Sequence, residues 1–295
     1  VTITQLSSLK DGDTVTGVDA AGAVCIDVAD NLQISESVTA RNGQAYLDAT
    51  GNITIGNGNA DQVTSNTRVV MEAGGNIVDN NGANTAAAVA LGGDVILNAG
   101  GSVGDAQFNA GAAATGSAFE IDADDLAARA GTGDVNIVDL DSNSDGLDVE
   151  ALSYTNKAGG TTNVTGVTAG ADVCLDVVNG NLDVNQVVTA TNGSVALKTR
   201  TGDINLNGAD VTAATAGQTV SVESADDIND TVDGTGSLVA TNVVLDAVNG
   251  IGDNATAGDD DVEVSAANLA AVSRTSGGVN IEVTNPAGTD VTITQ

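Results

Sequence analysis

The chain has 295 residues, with 40 Asp and Glu against 8 Lys and Arg, no His, no Trp and a formal net charge of −32. A polyanion of this kind is repelled by nucleic acid and by anionic membrane surfaces, and the absence of His removes the usual Ser and Cys triads and most transition-metal sites. Hydrophobic residues still reach 41% with aromatics at 1%, so the core has to be built from Val, Ile, Leu and Ala rather than from large rings.

The first element is VTITQ (Val1 to Gln5), and the same five residues close the chain at Val291 to Gln295. No initiator Met or apolar leader precedes Val1, which reads as the start of a mature or excised segment. Between the two pentapeptides, short β-branched runs recur: ITI from Ile53, VVM from Val69, VIL from Val95, VNIV from Val135, VALK from Val195, INL from Ile204, VSVE from Val220, VVL from Val243 and VNIEV from Val279. Most follow Gly-Asn, Gly-Asp, Gly-Ser or Gly-Gly. Period-two alternation after a turn that tolerates positive backbone angles predicts strands. The best helical candidates, DADDLAARA (122–130) and SAANLAAVS (265–273), also read as strands with a corner. The apolar stretch TAAAVALGG (85–93) is far short of the roughly 20 residues that span a bilayer, so no membrane insertion is expected.

These elements repeat. TGVDAAGAVCIDV from Thr16 parallels TGVTAGADVCLDV from Thr165, placing Cys25 and Cys174 at 174 − 25 = 149 positions apart. LQISESVTARNGQAYLDATGNITI from Leu32 parallels LDVNQVVTATNGSVALKTRTGDINL from Leu182, and VILNAGGSVGD from Val95 parallels VVLDAVNGIGD from Val243. The expected architecture is all-β: a right-handed parallel β-helix, or β-solenoid, made of two tandem diverged repeats of about 145 residues. The copies run over 1–148 and 149–290, with VEALS from Val149 opening the second, and 291–295 starts the next. A β-sandwich is disfavoured because it wants a core Trp or Tyr and regular hairpins.

GDVILNAGGSVGD, NVVLDAVNGIGD, TGDINL and VEVSAANLAAVSRTSGGVNIEV resemble the repeats of filamentous-haemagglutinin-like bacterial adhesins and related giant β-strand-repeat surface proteins. The resemblance covers nearly the whole chain in style rather than in invariant residues. It implies the parallel β-helix shaft of a secreted or surface-displayed fibre, with no catalytic residues to carry over. The amino-terminal secretion domain typical of that family is not in the sequence.

The most specific local signal is DLDSNSDGLDVE, in which Asp141, Asn143, Asp145, Gly146 and Asp148 follow the spacing of calcium loops and Glu150 adds a carboxylate. An EF-hand would need its Glu where Leu152 stands, so an ordinary Asp/Asn turn competes with a Ca²⁺ site. Further acids cluster at Asp122, Asp124, Asp125 and at Asp259, Asp260, Asp261. The eight bases are Lys10, Arg41, Arg68, Arg129, Lys157, Lys198, Arg200 and Arg274. They are scattered, and Tyr46, Phe108, Phe119 and Tyr154 do not visibly cluster, which weighs against a polysaccharide lyase and against glycan stacking. Paired Thr rows for ice binding are too sparse. Cys25 and Cys174 are expected too far apart for an intrachain disulfide; they are buried small hydrophobes or outward links between fibres. The expected function is a non-enzymatic subunit or repeat segment of an extracellular filament or cell-surface fibre. It would assemble with itself, as a head-to-tail homopolymer or as tandem repeats of one giant chain, with lateral contacts between filaments and a role in adhesion. A monomeric adhesin is the alternative.

Overall fold

A computed structural model describes the chain apart from residues 1, 4–5, 8–13, 16, 57–60, 82–88, 105–117, 141, 143, 233–234, 253–260, 285–289 and 294–295. All regular structure among the described residues is β, and parallel strands stack into a β-solenoid of about ten turns. Both Ala-rich segments are strands, Phe119–Ala130 and Val262–Ser273, each paired in register with the strand of the previous turn. The buried inward residues of the first are Phe119, Ile121 and Ala123, then Leu126, Ala128 and Ala130, and those of the second are Val262, Val264 and Ala266, then Leu269. The parity slips once between Ala123 and Leu126, which is the corner. A helix would have scattered these residues around its axis instead of aiming them all into the bore.

Stacking converts alternation into ladders. Leu32, Ile53, Ile77, Val103, Val135, Val173, Val195, Val220, Val243, Leu269 and Ile293 lie opposite one another from turn to turn. From Leu32 to Val243 this ladder is essentially water-free. Only β-branched and aliphatic side chains of similar volume can follow one another at strand spacing, about 4.8 Å, without leaving voids or clashing. That explains a core nearly devoid of rings.

The corners are stapled by side chains. Asn31 Oδ1 accepts from the Asn52 amide, Asn52 Oδ1 from Asn76, and Asn76 Oδ1 from Ser102, each at 2.8 Å. The column continues through Ser102, Asp134, Asp172 and Ser194 to the Thr219 amide. Each side chain satisfies a backbone N–H of the next turn at a corner, where no strand partner exists. Where Gly precedes the polar residue, at Gly51, Gly75, Gly101, Gly133 and Gly193, this column forces it: a Cβ on Gly101 would meet Asn76 Oδ1 at 1.9 Å.

One excursion leaves the shaft. Ala151–Thr155 and Thr161–Thr165 form an antiparallel hairpin. It folds back over the outer face of earlier turns, where Tyr154, Leu152 and Val164 cover Tyr46, Val70, Ile96 and Ala127. A smaller antiparallel pair, Leu6–Ser7 with Thr14–Val15, stands at the corresponding place near the start of the chain.

The registers also locate the counterpart of VTITQ. Thr2–Ile3 pairs with Gln33 and Ile34, Asp148 and Val149 pair with Asp183 and Val184, and Thr292–Ile293 pairs with Asn268 and Leu269 as Asp148 and Val149 pair with Asp125 and Leu126. Leu147–Val149 therefore holds the seat that Thr2–Ile3 and Thr292–Ile293 hold, two residues ahead of a match between VEALS and VTITQ. A slip of two leaves every side chain on the same face, so alternation in the sequence cannot detect it.

Candidate functional site

The calcium-like loop splits between a turn and a strand. Asp141 and Asn143 lie outside the described residues. Ser144 and Gly146 carry positive φ values of 65° and 92° and turn the chain into the strand Leu147–Val149. Asp145 is exposed, and Ser142 Oγ donates to Asp122 Oδ2 at 2.6 Å. Asp124 has its carboxyl pushed up by burial and then by Asp145, Asp122 and Asp94, so the loop acids face an acid cluster of the preceding turn.

Asp148 belongs to a different arrangement. It lies opposite Asp125 on one side and Asp183 on the other. Asp125 is in turn opposite Asp94. Four carboxylates thus occupy successive turns of one outward row, where direct like-charge neighbours are unfavourable. Burial, then Asp183, Asp125 and Glu150, push the Asp148 carboxyl up to about 6. The row is closed by donors at both ends. Arg68 pairs with Asp94, and Asn205 Nδ2 donates to Asp183 Oδ1 at 2.6 Å while Asn229 donates to Asn205 at 3.0 Å. Glu150 Oε1 accepts from Asn185 Nδ2 at 2.8 Å. Sequence reasoning did not bring Asp94 and Asp183 to this row, because separations of 31, 23 and 35 residues carry no fixed period.

A second acid group, Asp203, Asp226 and Asp227, brings its oxygens within 4.8 Å of one another. Asp203 accepts from the Asp227 amide at 3.0 Å, and Asp227 accepts from the Gly250 amide. These carboxylates serve as corner staples. Deeper in, Asp230 is buried beside Glu263, and burial followed by Glu263 pushes its carboxyl up to about 7, far above the usual carboxylate range. The Asp259–Asp260 part of the other acid run lies outside the described residues.

Six of the bases form ion pairs: Arg41 with Asp19, Arg68 with Asp94, Lys198 with Glu223, Arg200 with Asp176 and Arg274 with Asp246 between neighbouring turns, and Lys157, at the hairpin tip, with Asp27 and Asp48. Lys10 and Phe108 lie outside the described residues. The fold does bring two aromatics together, contrary to expectation: the Tyr46 and Tyr154 rings lie 5.9 Å apart. Both are buried, as packing for the hairpin rather than as a platform for a sugar. Thr168, Thr189 and Thr212 form a single outward file that the sequence spacing hid. Cys25 and Cys174 are both free thiols on outward positions; Cys25 is exposed, and Cys174 is covered by Ala118, Val138 and Ala196, and burial pushes its thiol up to about 12. No helix of the described residues is long and apolar enough to cross a membrane.

The most distinctive geometry is at the end of the stack. The ladder ending at Leu269 finishes with Ile293 at 68% exposure. The ladder Leu147, Leu182, Ile204, Ile228, Ile251 finishes with Val279 at 46%. The ladder Val167, Val188, Val211, Leu238, Val264 finishes with Val283 at 39%. Every earlier member of these three columns described here is buried. Comparison of the chain with family models, with curated proteins and with solved structures returns no match.

Proposed function

We propose that the chain is a non-enzymatic shaft segment of an extracellular filament or cell-surface fibre of the filamentous-haemagglutinin-like kind, lengthened by stacking end on end. The observation that carries this reading is the simultaneous exposure of Ile293, Val279 and Val283, the last rungs of three otherwise buried ladders. An apolar surface with free strand edges is a template for further pairing. The shaft would serve as a spacer or contact surface in adhesion, its outer face carrying the acidic charge that keeps fibres soluble. Ca²⁺ fits as a bridging cation for the row Asp125, Asp148, Asp183 with Glu150, relieving repulsion that the protein's own donors leave in place.

The catalytic and glycan-binding alternatives draw less support. Six of the bases are committed to ion pairs, and the two paired rings are buried. Electron microscopy of the purified chain in about 0.15 M salt is the test, and particles that stay single short rods at all concentrations would sink the fibre reading. Denaturing electrophoresis of native fibres separates its two forms: a band near 28.8 kDa means short subunits, and a very large band means tandem copies in one polypeptide.

A further inference from the structure

The chain contains, once, the joint that its own end leaves open. In the middle of the shaft, Ala128–Ala130 is covered by Val167–Ala169, Val135–Asp139 by Val173–Val177, and Leu147–Val149 lies between Asp125–Leu126 and Leu182–Val184. By the same registers, the residues at the open end that correspond to these are 271–273, 279–283 and 291–293. Val135 and Ile137 are fully buried; their counterparts Val279 and Ile281 are not. The covering strands also have counterparts, at the opposite end of the molecule. Val18–Ala20 and Val24–Val28 pair with Val38–Ala40 and Ala45–Ala49 just as Val167–Ala169 and Val173–Val177 pair with Val188–Ala190 and Val195–Thr199. Among the described strands, these two are each paired on one side only.

We propose that the open end is filled by the first turn of a second copy of this chain, in the internal register, and that Thr292–Ile293 takes the seat of the second copy's Thr2–Ile3 by strand exchange. The inference rests on the head-to-tail reading above and adds to it a register and a swap. Residues 271–273 lie opposite 18–20 of the second copy, 279–283 opposite 24–28, and Thr292 and Ile293 opposite Gln33 and Ile34. Two strands of identical sequence, Thr2–Ile3 and Thr292–Ile293, compete for one seat, so the exchange itself costs no pairing. The incoming strand wins because it stays bound to Asn268 and Leu269 on its other side, whereas Thr2–Ile3 has Gln33 and Ile34 alone. It then bridges two turns as Leu147–Val149 does inside the shaft.

The register makes an electrostatic demand. Glu282 falls opposite Asp27 of the second copy, where the internal joint sets Val138 opposite Asp176. Like charges directly opposed weaken a strand pair, and two bodies of net charge −32 repel at long range. Association therefore strengthens with salt, and Glu282→Gln raises it about threefold at low ionic strength.

Asn280 falls opposite Cys25 of the second copy, at adjacent-strand spacing that a disulfide spans. Mild oxidation of Asn280→Cys should give a ladder of disulfide-linked dimers, trimers and higher species on non-reducing gels, and adding Cys25→Ser should abolish it. The exchange is read by sedimentation velocity. Proline removes a strand donor, so Ile293→Pro weakens association by at least about tenfold, while Ile3→Pro, in the strand that is displaced, leaves association unchanged or tightens it. Circular dichroism of both variants establishes that the shaft is folded. If the parent chain never associates at any salt concentration, the head-to-tail reading itself falls. If it associates but Asn280→Cys forms no ladder, the register is wrong; if both proline variants lose association equally, or neither does, the exchange is wrong while stacking stands.

Discussion

The outer faces of the earlier and later turns have the same inner wall behind them and quite different surfaces. Over the earlier turns, Tyr46, Val70, Ile96 and Ala127 form an apolar stripe sealed by the hairpin, with Lys157 reaching Asp27 and Asp48 at its tip and Arg68 Nη1 donating to the Ser153 carbonyl at 2.6 Å. The same register positions in the later turns hold Ala196, Ser221, Val244 and Ala270, and Val244 is 38% exposed. Beside that stripe runs a set of ion pairs: Arg200 with Asp176, Lys198 with Glu223, and Arg274 with Asp246. The bore admits one kind of residue because it is closed on all sides. The outer face admits whatever suits the object lying on it, whether hairpin or water.

The largest effect should come from breaking the wall that both regions share. Val220→Asp places an unpaired carboxylate in the middle of a fully buried ladder and should cost more than about 4 kcal/mol. The same charge at the outward Val244 should move stability by less than about 0.5 kcal/mol. Thermal melts followed by circular dichroism compare the two, and equal effects would mean that the inward and outward assignments are mistaken.

Tyr154→Ala should act on one region only. Removing a buried ring from the hairpin costs about 3 kcal/mol of local stability. Hydrogen exchange should accelerate over Ala45–Ala49 and Arg68–Ala73, with Val195–Thr199 and Thr219–Ser224 unchanged. Uniform acceleration along the shaft would show that the hairpin is not a separate unit.

The ion pairs along the shaft should be graded by burial. Asp176 retains only 1% side-chain exposure, so Arg200→Gln should cost about 1 to 2 kcal/mol, discounted for the partly open guanidinium. Arg41→Gln breaks a pair whose two members stand largely in water, and should leave the denaturation midpoint where it was. A larger loss at Arg41 than at Arg200 would overturn the ranking.

A further effect is expected on pH. Asp148, where the two regions meet, titrates near 6 in the folded chain against about 3.9 when unfolded. The folded state therefore holds this proton more tightly, and its contribution grows as pH falls from about 6 toward 4. Asp148 should contribute about 2 to 4 °C to the rise in melting temperature between pH 7 and pH 5, and Asp148→Asn should remove that share while the share of Asp230, raised to about 7, remains. If millimolar Ca²⁺ raises the melting temperature of the parent chain at pH 7 but not that of Asp148→Asn, the acidic row is a cation site; an equal rise in both places the ion elsewhere.

Much of the fold is legible in the residues themselves. Runs such as VALK and INL after Gly-Ser and Gly-Asp announce strands and turns, and a core without rings points to a stack rather than a sandwich. The Ala-rich strands carry a helical composition that pairing over nine positions overrode. The candidate site was only partly legible. Asp148 and Glu150 could be picked out in one short motif, but their opposite numbers Asp125 and Asp183 come from other turns, and Tyr46 meets Tyr154 only because the hairpin folds back.

The sequence by itself determined the period-two alternation, the turn chemistry and the near-repetition of one block of strands, because these are local properties of neighbouring residues. Tertiary structure alone decided which residues oppose one another. Register is set by the length of each intervening loop and by the fit of whole ladders, and a slip of two positions leaves the pattern of inward and outward residues intact. That is why VTITQ could be seen at both ends of the chain from the letters, while its counterpart at Leu147–Val149, and the seat it would share with a second copy, emerged only from the stack.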